Sequence, residues 1–126
     1  MATTFVQEGI REPLVNTTGA TIPSGGVVVL SSPASATDPN LGRIGVAVDA
    51  IAANATGVME TAWVQRLPAN LTANVAQGAL VFWDAATNQV VAAQASAAPF
   101  LPVAGRAFGS ASVAGATTIE VLLNKH

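Results

Sequence analysis

The sequence predicts an all-β fold: a small β-barrel-like or β-sandwich-like single domain with two loosely duplicated halves and an extended N-terminal arm. Three observations lead to this prediction. Short apolar and β-branched runs recur along the 126 residues, each bounded by Gly, Pro, Asn or Ser. The Ala-rich stretches lack the amphipathic period of a helix of useful length. One segment of the first half is echoed, without gaps, in the second half.

Nine short runs have the composition of strands. The predicted strands cover residues 5–6, 14–17, 27–30, 43–48, 58–64, 80–83, 89–93, 103–107 and 117–123. Alternation is clearest in the last run, where Ile119, Val121 and Leu123 share one face. Asp84 and Asn88 bracket a tight hairpin loop, because both side chain types can bond the backbone of their own turn.

The internal repeat is centred on a Gly turn that leads into a dense strand. Residues 22–30 match residues 75–83, with Gly25 aligned on Gly78, and residues 43–48 resemble residues 103–108. Two such halves suit a closed or nearly closed barrel, which would remove the exposed edges that a protein with few charges cannot easily protect. Chance similarity between Gly- and Val-rich segments is the competing explanation.

We divide the chain into an N-terminal arm, residues 1–13, and a β-barrel-like domain, residues 14–126. Residues 31–40 form a long loop of small residues. Loops of this length in compact domains are usually functional or mobile. We interpret this one as a flexible surface excursion in preference to a binding loop.

The composition points to a surface that is partly covered by other subunits. Charged residues make up only 10% of the chain and hydrophobic residues 51%, whereas a soluble domain has about a quarter charged residues. A small neutral monomer is the alternative. The net charge of −2 and the scattered basic residues argue against a nucleic-acid partner. No apolar run approaches the ~18 residues of a membrane span, and the first residues do not resemble a secretion signal, so we expect cytoplasmic synthesis and no membrane partner.

The sequence offers few groups for catalysis. It has no Cys and no Tyr, and its single histidine, His126, is the last residue, where we expect it to be frayed. No G-x-S-x-G turn, phosphate-binding loop or calcium loop is present. We therefore expect no enzyme activity, no cofactor and no metal site. A hydrolase built on two carboxylates, for example Asp84 and Glu60, is kept as a formal alternative because such a pair need only meet in space.

Trp63 and Trp83 have two interpretations. Exposed indole rings can stack on a sugar, as in a carbohydrate-binding or receptor-binding β-module that would also use the loop at residues 31–40. We favour the second interpretation, in which both rings bury a large area in the core or at an interface.

Five segments in order along nearly the whole chain carry a resemblance to a known family. They are Phe5-Val6-Gln7-Glu8-Gly9, Ile44-Gly45-Val46-Ala47-Val48, Leu67-Pro68, Gln77 through Asp84, and Thr118 through Leu123. On these segments the chain resembles the capsid cement or head decoration proteins of tailed phages, whose members are often labelled as predicted recombinases. That label disagrees with the missing phosphate loop. Family members tend to have Glu-Gly where this chain has Ala62-Trp63, and the loop at residues 31–40 resembles an insertion.

The resemblance implies a structural virion protein rather than an enzyme. Its members are compact β-domains that form homotrimers on the outer surface of the assembled capsid and clamp neighbouring subunits of the major capsid protein. The resemblance thus implies a virion location after synthesis in the host cytoplasm. A trimer gains avidity of order 10²–10⁴ when its three copies engage together.

Two groups of residues are candidates for these contacts. The capsid-contact candidates lie in the arm, which can add a strand to a neighbour's sheet edge: Thr3, Thr4, Phe5, Val6, Gln7 and Glu8. The equal alternative is that Phe5 and Val6 complete this domain's own sheet. The trimer-interface candidates are Trp63 and Trp83, of which we expect one near the axis.

Overall fold

The computed structural model describes residues 11–35, 37–108 and 113–125, and these residues form nine strands and no helix. The strands are β1 (Arg11–Val15), β2 (Val27–Ser31), β3 (Arg43–Ala47), β4 (Thr56–Glu60), β5 (Val64–Pro68), β6 (Leu80–Asp84), β7 (Gln89–Val91), β8 (Val103–Ala107) and β9 (Thr118–Leu123). The predicted all-β class is confirmed.

The strands form two antiparallel sheets within one domain. The first sheet has the order β1-β4-β3-β2 and the second the order β5-β9-β8-β6-β7. In the described part of the chain neither sheet closes, so the closed form of the predicted barrel is wrong. Strands pair with strands of their own half, and each sheet therefore keeps two edges. An isolated bridge between Ala69 and Val90 brings β7 to the segment that follows β5 without completing a barrel.

The two sheets repeat one topology, which confirms the predicted duplication of the fold. Strands β1, β2, β3 and β4 correspond in order and pairing to β5, β6, β8 and β9, and β7 is the addition of the second half. The outer pairs begin in the same register, Arg11 opposite Glu60 and Val64 opposite Leu122. Val27 and Leu80, the first residues of β2 and β6, are the same 53 positions apart as Arg11 and Val64.

The repeated Gly turns are also alike in conformation. Gly25 has φ of 80° and Gly78 has φ of 85°, a region that costs an L side chain energy but suits Gly. The Gly25 N–H donates to the Ala47 carbonyl and the Gly78 N–H to the Ala107 carbonyl, both at 2.8 Å. Each turn thereby fixes where its strand begins against the next strand of its half.

The predicted strand at residues 58–64 is wrong in extent, because two strands occupy this region. β4 ends at Glu60 and β5 begins at Val64. Between them Trp63 has φ of 80°, which is incompatible with a continuous strand. The strand predicted at residues 5–6 lies outside the described residues. Residues 11–13, assigned from the sequence to the arm, lie in β1, and the division into arm and domain stays a prediction.

The main core lies between the halves. Ile44 and Val46 of β3 join Val81, Trp83 and Val121 of the second sheet in one buried cluster. A smaller cluster on the other face of the first sheet is formed by three residues, Ile22, Ala47 and Ile51. The first sheet thus buries part of each face.

Asn124 fastens the two halves with its side chain. Its Oδ1 accepts the Ile44 N–H at 2.9 Å, and its Nδ2 donates to the carbonyls of Ile44 at 2.8 Å and Thr61 at 2.7 Å. Its own N–H donates to the Ala104 carbonyl at 2.8 Å. The amide therefore pairs with the backbone of β3 much as a strand residue would.

Candidate assembly surface

An apolar patch lies on one face of β1 and β4, and we call it the β1–β4 patch: Pro13, Val15, Thr56 and Val58. Pro13 lies directly opposite Val58, and Val15 opposite Thr56. Val15 is 55% exposed and Val58 45% exposed. Residues opposite one another on a sheet face are in contact range, so these side chains form one continuous exposed surface.

The second half carries charges at the corresponding register position. Arg66 of β5 lies opposite Glu120 of β9, and their side chains form an ion pair at 3.4 Å. These two positions correspond to Pro13 and Val58 through the repeat. Two sheets of one topology thus differ at this register position, which is charged in the second half and apolar in the first. Exposed apolar surface of this kind is typical of protein contacts.

One ion pair borders the β1–β4 patch, because Arg11 contacts Glu60 at 3.3 Å on the same face. On the opposite face of β1, the Glu12 carboxylate accepts bonds from the Thr61 hydroxyl at 2.7 Å and the Arg43 guanidinium at 2.8 Å. The Thr61 bond first, and the Arg43 bond second, lower the pKa of Glu12 below its ordinary value of 4.5. The apolar patch thus has one polar border, the Arg11–Glu60 ion pair.

The structure separates the two tryptophans. Trp83 is 2% exposed and belongs to the main core, whereas Trp63 is 47% exposed. Trp63 has φ of 80°, and its carbonyl accepts the Leu123 N–H at 2.9 Å. This conformation costs about 1–3 kcal/mol for a residue other than Gly. Only Trp63 of the two presents its ring to a partner without unfolding of the core.

The capsid-contact candidates Thr3, Thr4, Phe5, Val6, Gln7 and Glu8 lie outside the described residues. In sequence they precede Arg11, the first residue of β1. Phe108 and Val113 are further exposed apolar residues, at 47% and 65%. The structure associates neither with the β1–β4 patch.

The acidic side chains hold local structure. Asp84 Oδ1 accepts the Ala86 N–H at 3.0 Å in the β6–β7 turn, and Glu60 accepts a bond from Gln65 at 2.8 Å in addition to its ion pair. In the loop at residues 31–40, the Asp38 carboxylate accepts hydrogen bonds from the N–H groups of Ala34 and Asn40. The bond from Ala34 first, and the bond from Asn40 second, lower the pKa of Asp38. These carboxylates act as turn and rim acceptors.

The described residues contain no group of three or more His, Asp or Glu side chains that could hold a metal ion. Nor does any helix in the described ranges have the length and apolar character to span a membrane.

Sequence reasoning missed the β1–β4 patch. The signal required the pairing of Pro13 with Val58, two positions 45 residues apart that only the β1–β4 register brings together.

No curated protein and no solved structure matches the chain. The family model described as phage cement protein matches residues 6–123, which is nearly the whole chain. This match extends over both repeated halves, and the chain belongs to the phage cement protein family.

Proposed function

We propose that this cement protein binds the outer surface of the assembled capsid as a homotrimer and holds neighbouring subunits of the major capsid protein together. The observation that carries the proposal, beyond the family, is the β1–β4 patch. Its apolar centre takes the place of the Arg66–Glu120 ion pair of the other half. Only 10% of the residues of the chain are charged. Because charged surface residues normally keep a protein soluble, contact with a partner would cover apolar surface that this chain leaves exposed.

Trimerisation makes weak single contacts sufficient. A patch of four side chains buries little area, so one copy would bind weakly. Three copies on one rigid body bind with avidity of order 10²–10⁴ above a single site when all can engage. Trp63, exposed and held in a costly conformation, is our candidate for the trimer contact.

The arm residues Thr3, Thr4, Phe5, Val6, Gln7 and Glu8 remain candidates for capsid contact. They lead into β1, the strand that carries Pro13 and Val15. A contact through the arm and one through the β1–β4 patch would therefore be continuous. If deletion of residues 2–9 leaves saturation of expanded shells unchanged, the arm has no part in the contact.

The test is binding to expanded shells that lack this protein. We expect the unaltered chain to saturate them and to give density on the outer surface by cryo-electron microscopy. The double variant Pro13→Arg/Val58→Glu gives the first half the pair found in the second and should bind at least about tenfold more weakly. The control, Arg66→Gln/Glu120→Gln, should bind as the unaltered chain does. Failure of the unaltered chain to bind would overturn the proposal, and full binding by the double variant would remove the patch from it.

The carbohydrate-binding alternative has no observation in its favour. Such a module would stack sugars on both tryptophans, but the ring of Trp83 is 2% exposed. The single exposed ring of Trp63 suits a protein contact as well as it suits a sugar, so it does not favour the carbohydrate-binding alternative.

A further inference from the structure

Among the described residues, no strand covers the β2 edge of the first sheet. Strand β2 ends the strand order β1-β4-β3-β2. The Ala47 N–H donates to the Gly26 carbonyl at 2.9 Å, and bonding alternates along an antiparallel pair, so the N–H and C=O groups of Val27 and Val29 point away from β3. The strand reads Val-Val-Val-Leu-Ser and contains neither Pro nor a charge. Its one irregularity is a shift of register against β3 between Val29 and Ser31, so the protection that Pro or a charged side chain gives an edge is missing before that point.

The other three edges of the described sheets are each protected. In β1, the Asn16 N–H donates to the Ala55 carbonyl, and alternation from this bond turns the Pro13 nitrogen outward. In β5, the Ala69 N–H donates to the Thr117 carbonyl, which in the same way turns the Pro68 nitrogen outward. These positions have no N–H to offer a further strand. The remaining edge, β7, is met by the Asn70 N–H, which donates to the Val90 carbonyl at 2.9 Å.

The second half shows what fits the edge that β2 leaves open. β6, the counterpart of β2, is paired on that edge by β7, with Phe82 opposite Val91, Trp83 opposite Val90 and Asp84 opposite Gln89. At the constant spacing of 53 residues Val29 aligns with Phe82, and beyond Val29 the register of β2 on β3 shifts. Within the described ranges, no strand takes the place beside β2 that β7 takes beside β6.

We propose that this place accepts an extended segment of a capsid subunit, which adds an antiparallel strand to β2. The inference rests on the proposed function and names the backbone contact that would serve it. The incoming segment should be short, uncharged and β-branched at its centre, as β7 is at the fully buried Val90. A groove of about 370 Å³ beside Val27, lined also by Gly26, Pro68 and Trp83, leaves room at the start of the edge.

A second copy of this chain fits the edge less well. Its β1 and β5 edges carry Pro13 and Pro68 at outward positions, so neither can complete the ladder. Its own β2 could pair with β2, but two identical strands pair about a two-fold axis and join two copies. Such pairing does not build the trimer of the proposed function, whereas a strand from the shell leaves trimer contacts free.

The first measurement is amide hydrogen exchange of the full chain, free and bound to expanded shells. We expect exchange at Val27 and Val29 to slow at least about tenfold on shell binding, while the β1 edge changes less. Protection of β2 in the free protein that rises with its concentration would show pairing between copies and overturn the proposal. Unchanged exchange at β2 on saturated shells would also overturn it, while the proposed function would stand.

The second measurement compares Val29→Pro with Val29→Ala. Both variants lose the Val side chain, but only Pro removes the outward N–H without removing a bond to β3. We expect Val29→Pro to bind shells at least about tenfold more weakly than Val29→Ala. Equal binding by two folded variants contradicts the proposal. If Val29→Pro does not fold, the exchange experiment decides alone, and a lack of shell binding by the unaltered chain overturns the function itself.

Discussion

Asn124 shows how one side chain can replace a missing piece of strand. β4 ends at Glu60, which lies opposite Val46 of β3. The N–H and C=O of Ile44, two residues before Val46, therefore lie beyond the end of β4 and need another partner. The Asn124 amide supplies both a donor and an acceptor there, and it also reaches Thr61. Its φ of 53° is the left-handed conformation that Asn tolerates better than most residues.

We predict that Asn124→Ala lowers the free energy of unfolding by about 2–4 kcal/mol, since it leaves buried backbone groups without partners. Asn88 is the matched control, because it has the same φ of 53° but lies exposed in the β6–β7 turn. Asn88→Ala should cost only about 1 kcal/mol for the strained backbone. Chemical denaturation of both variants measures the difference. Equal costs would mean that the amide bonds between the halves contribute nothing.

Glu12 makes stability depend on pH. Its pKa is lowered from 4.5 by the Thr61 hydroxyl and by Arg43, so its contribution is present above pH 4.5 and is lost as the pH falls through the folded-state value. Because the side chain is partly exposed, we expect Glu12→Gln to cost no more than about 1 kcal/mol at neutral pH. The difference from the unaltered chain should vanish in acid.

Denaturation midpoints across the acid range test this behaviour. Glu120→Gln, in the more exposed ion pair at 3.4 Å, is the control, and we expect a smaller change in unfolding free energy there. A Glu12→Gln deficit that persists unchanged in acid would show that the effect is not carried by the carboxylate charge.

At the scale of elements, the sequence predicted the starts of strands correctly where turn residues such as Gly adjoin β-branched or other apolar residues. Val27, Leu80 and Val103 begin strands that were predicted at those residues, because each run is apolar and bounded by turn residues. β5 was missed as a separate strand, since Gln65 and Arg66 lack strand composition and the break at Trp63 has no Gly to mark it. Trp83 was left between core and interface because its burial depends on contacts with the other half.

The repeat predicts equal behaviour of its two Gly turns. Neither Gly25 nor Gly78 has an atom within 4 Å of an added Cβ, so Ala at either position should cost only the backbone strain, about 1–2 kcal/mol. We expect Gly25→Ala and Gly78→Ala to lower the unfolding free energy by amounts that agree within about 0.5 kcal/mol. Thermal and chemical denaturation provide the comparison. A large asymmetry would show that the two halves hold their turns by different means.

At the scale of the whole molecule, the two halves have one topology and different surfaces. The second half protects its counterpart of β2 with β7 and its outer face with Arg66 and Glu120. In the part of the first half that the structure describes, no strand lies beside β2, and the position of that ion pair is held by Pro13 and Val58 of the β1–β4 patch. This asymmetry could not be predicted from the sequence, because it depends on which residues pair. It makes the first half the side on which we expect the shell to be bound.

Trp63 tests the assembly state independently of the shell. We expect the free chain, of 12.6 kDa, to scatter light as a trimer at micromolar concentration and Trp63→Gly to scatter as a monomer. Gly adopts a φ of 80° without strain, which removes a cost of about 1–3 kcal/mol. The greater backbone entropy that Gly loses on folding costs about 0.5–1 kcal/mol. We therefore expect the free energy of unfolding of Trp63→Gly to equal or exceed that of the unaltered chain. Phe108→Ala, at an equally exposed aromatic residue, should remain trimeric. A monomeric mass for the unaltered chain would leave no trimer contact for Trp63 to make. A trimeric mass for folded Trp63→Gly would show that the Trp63 ring takes no part in the trimer contact.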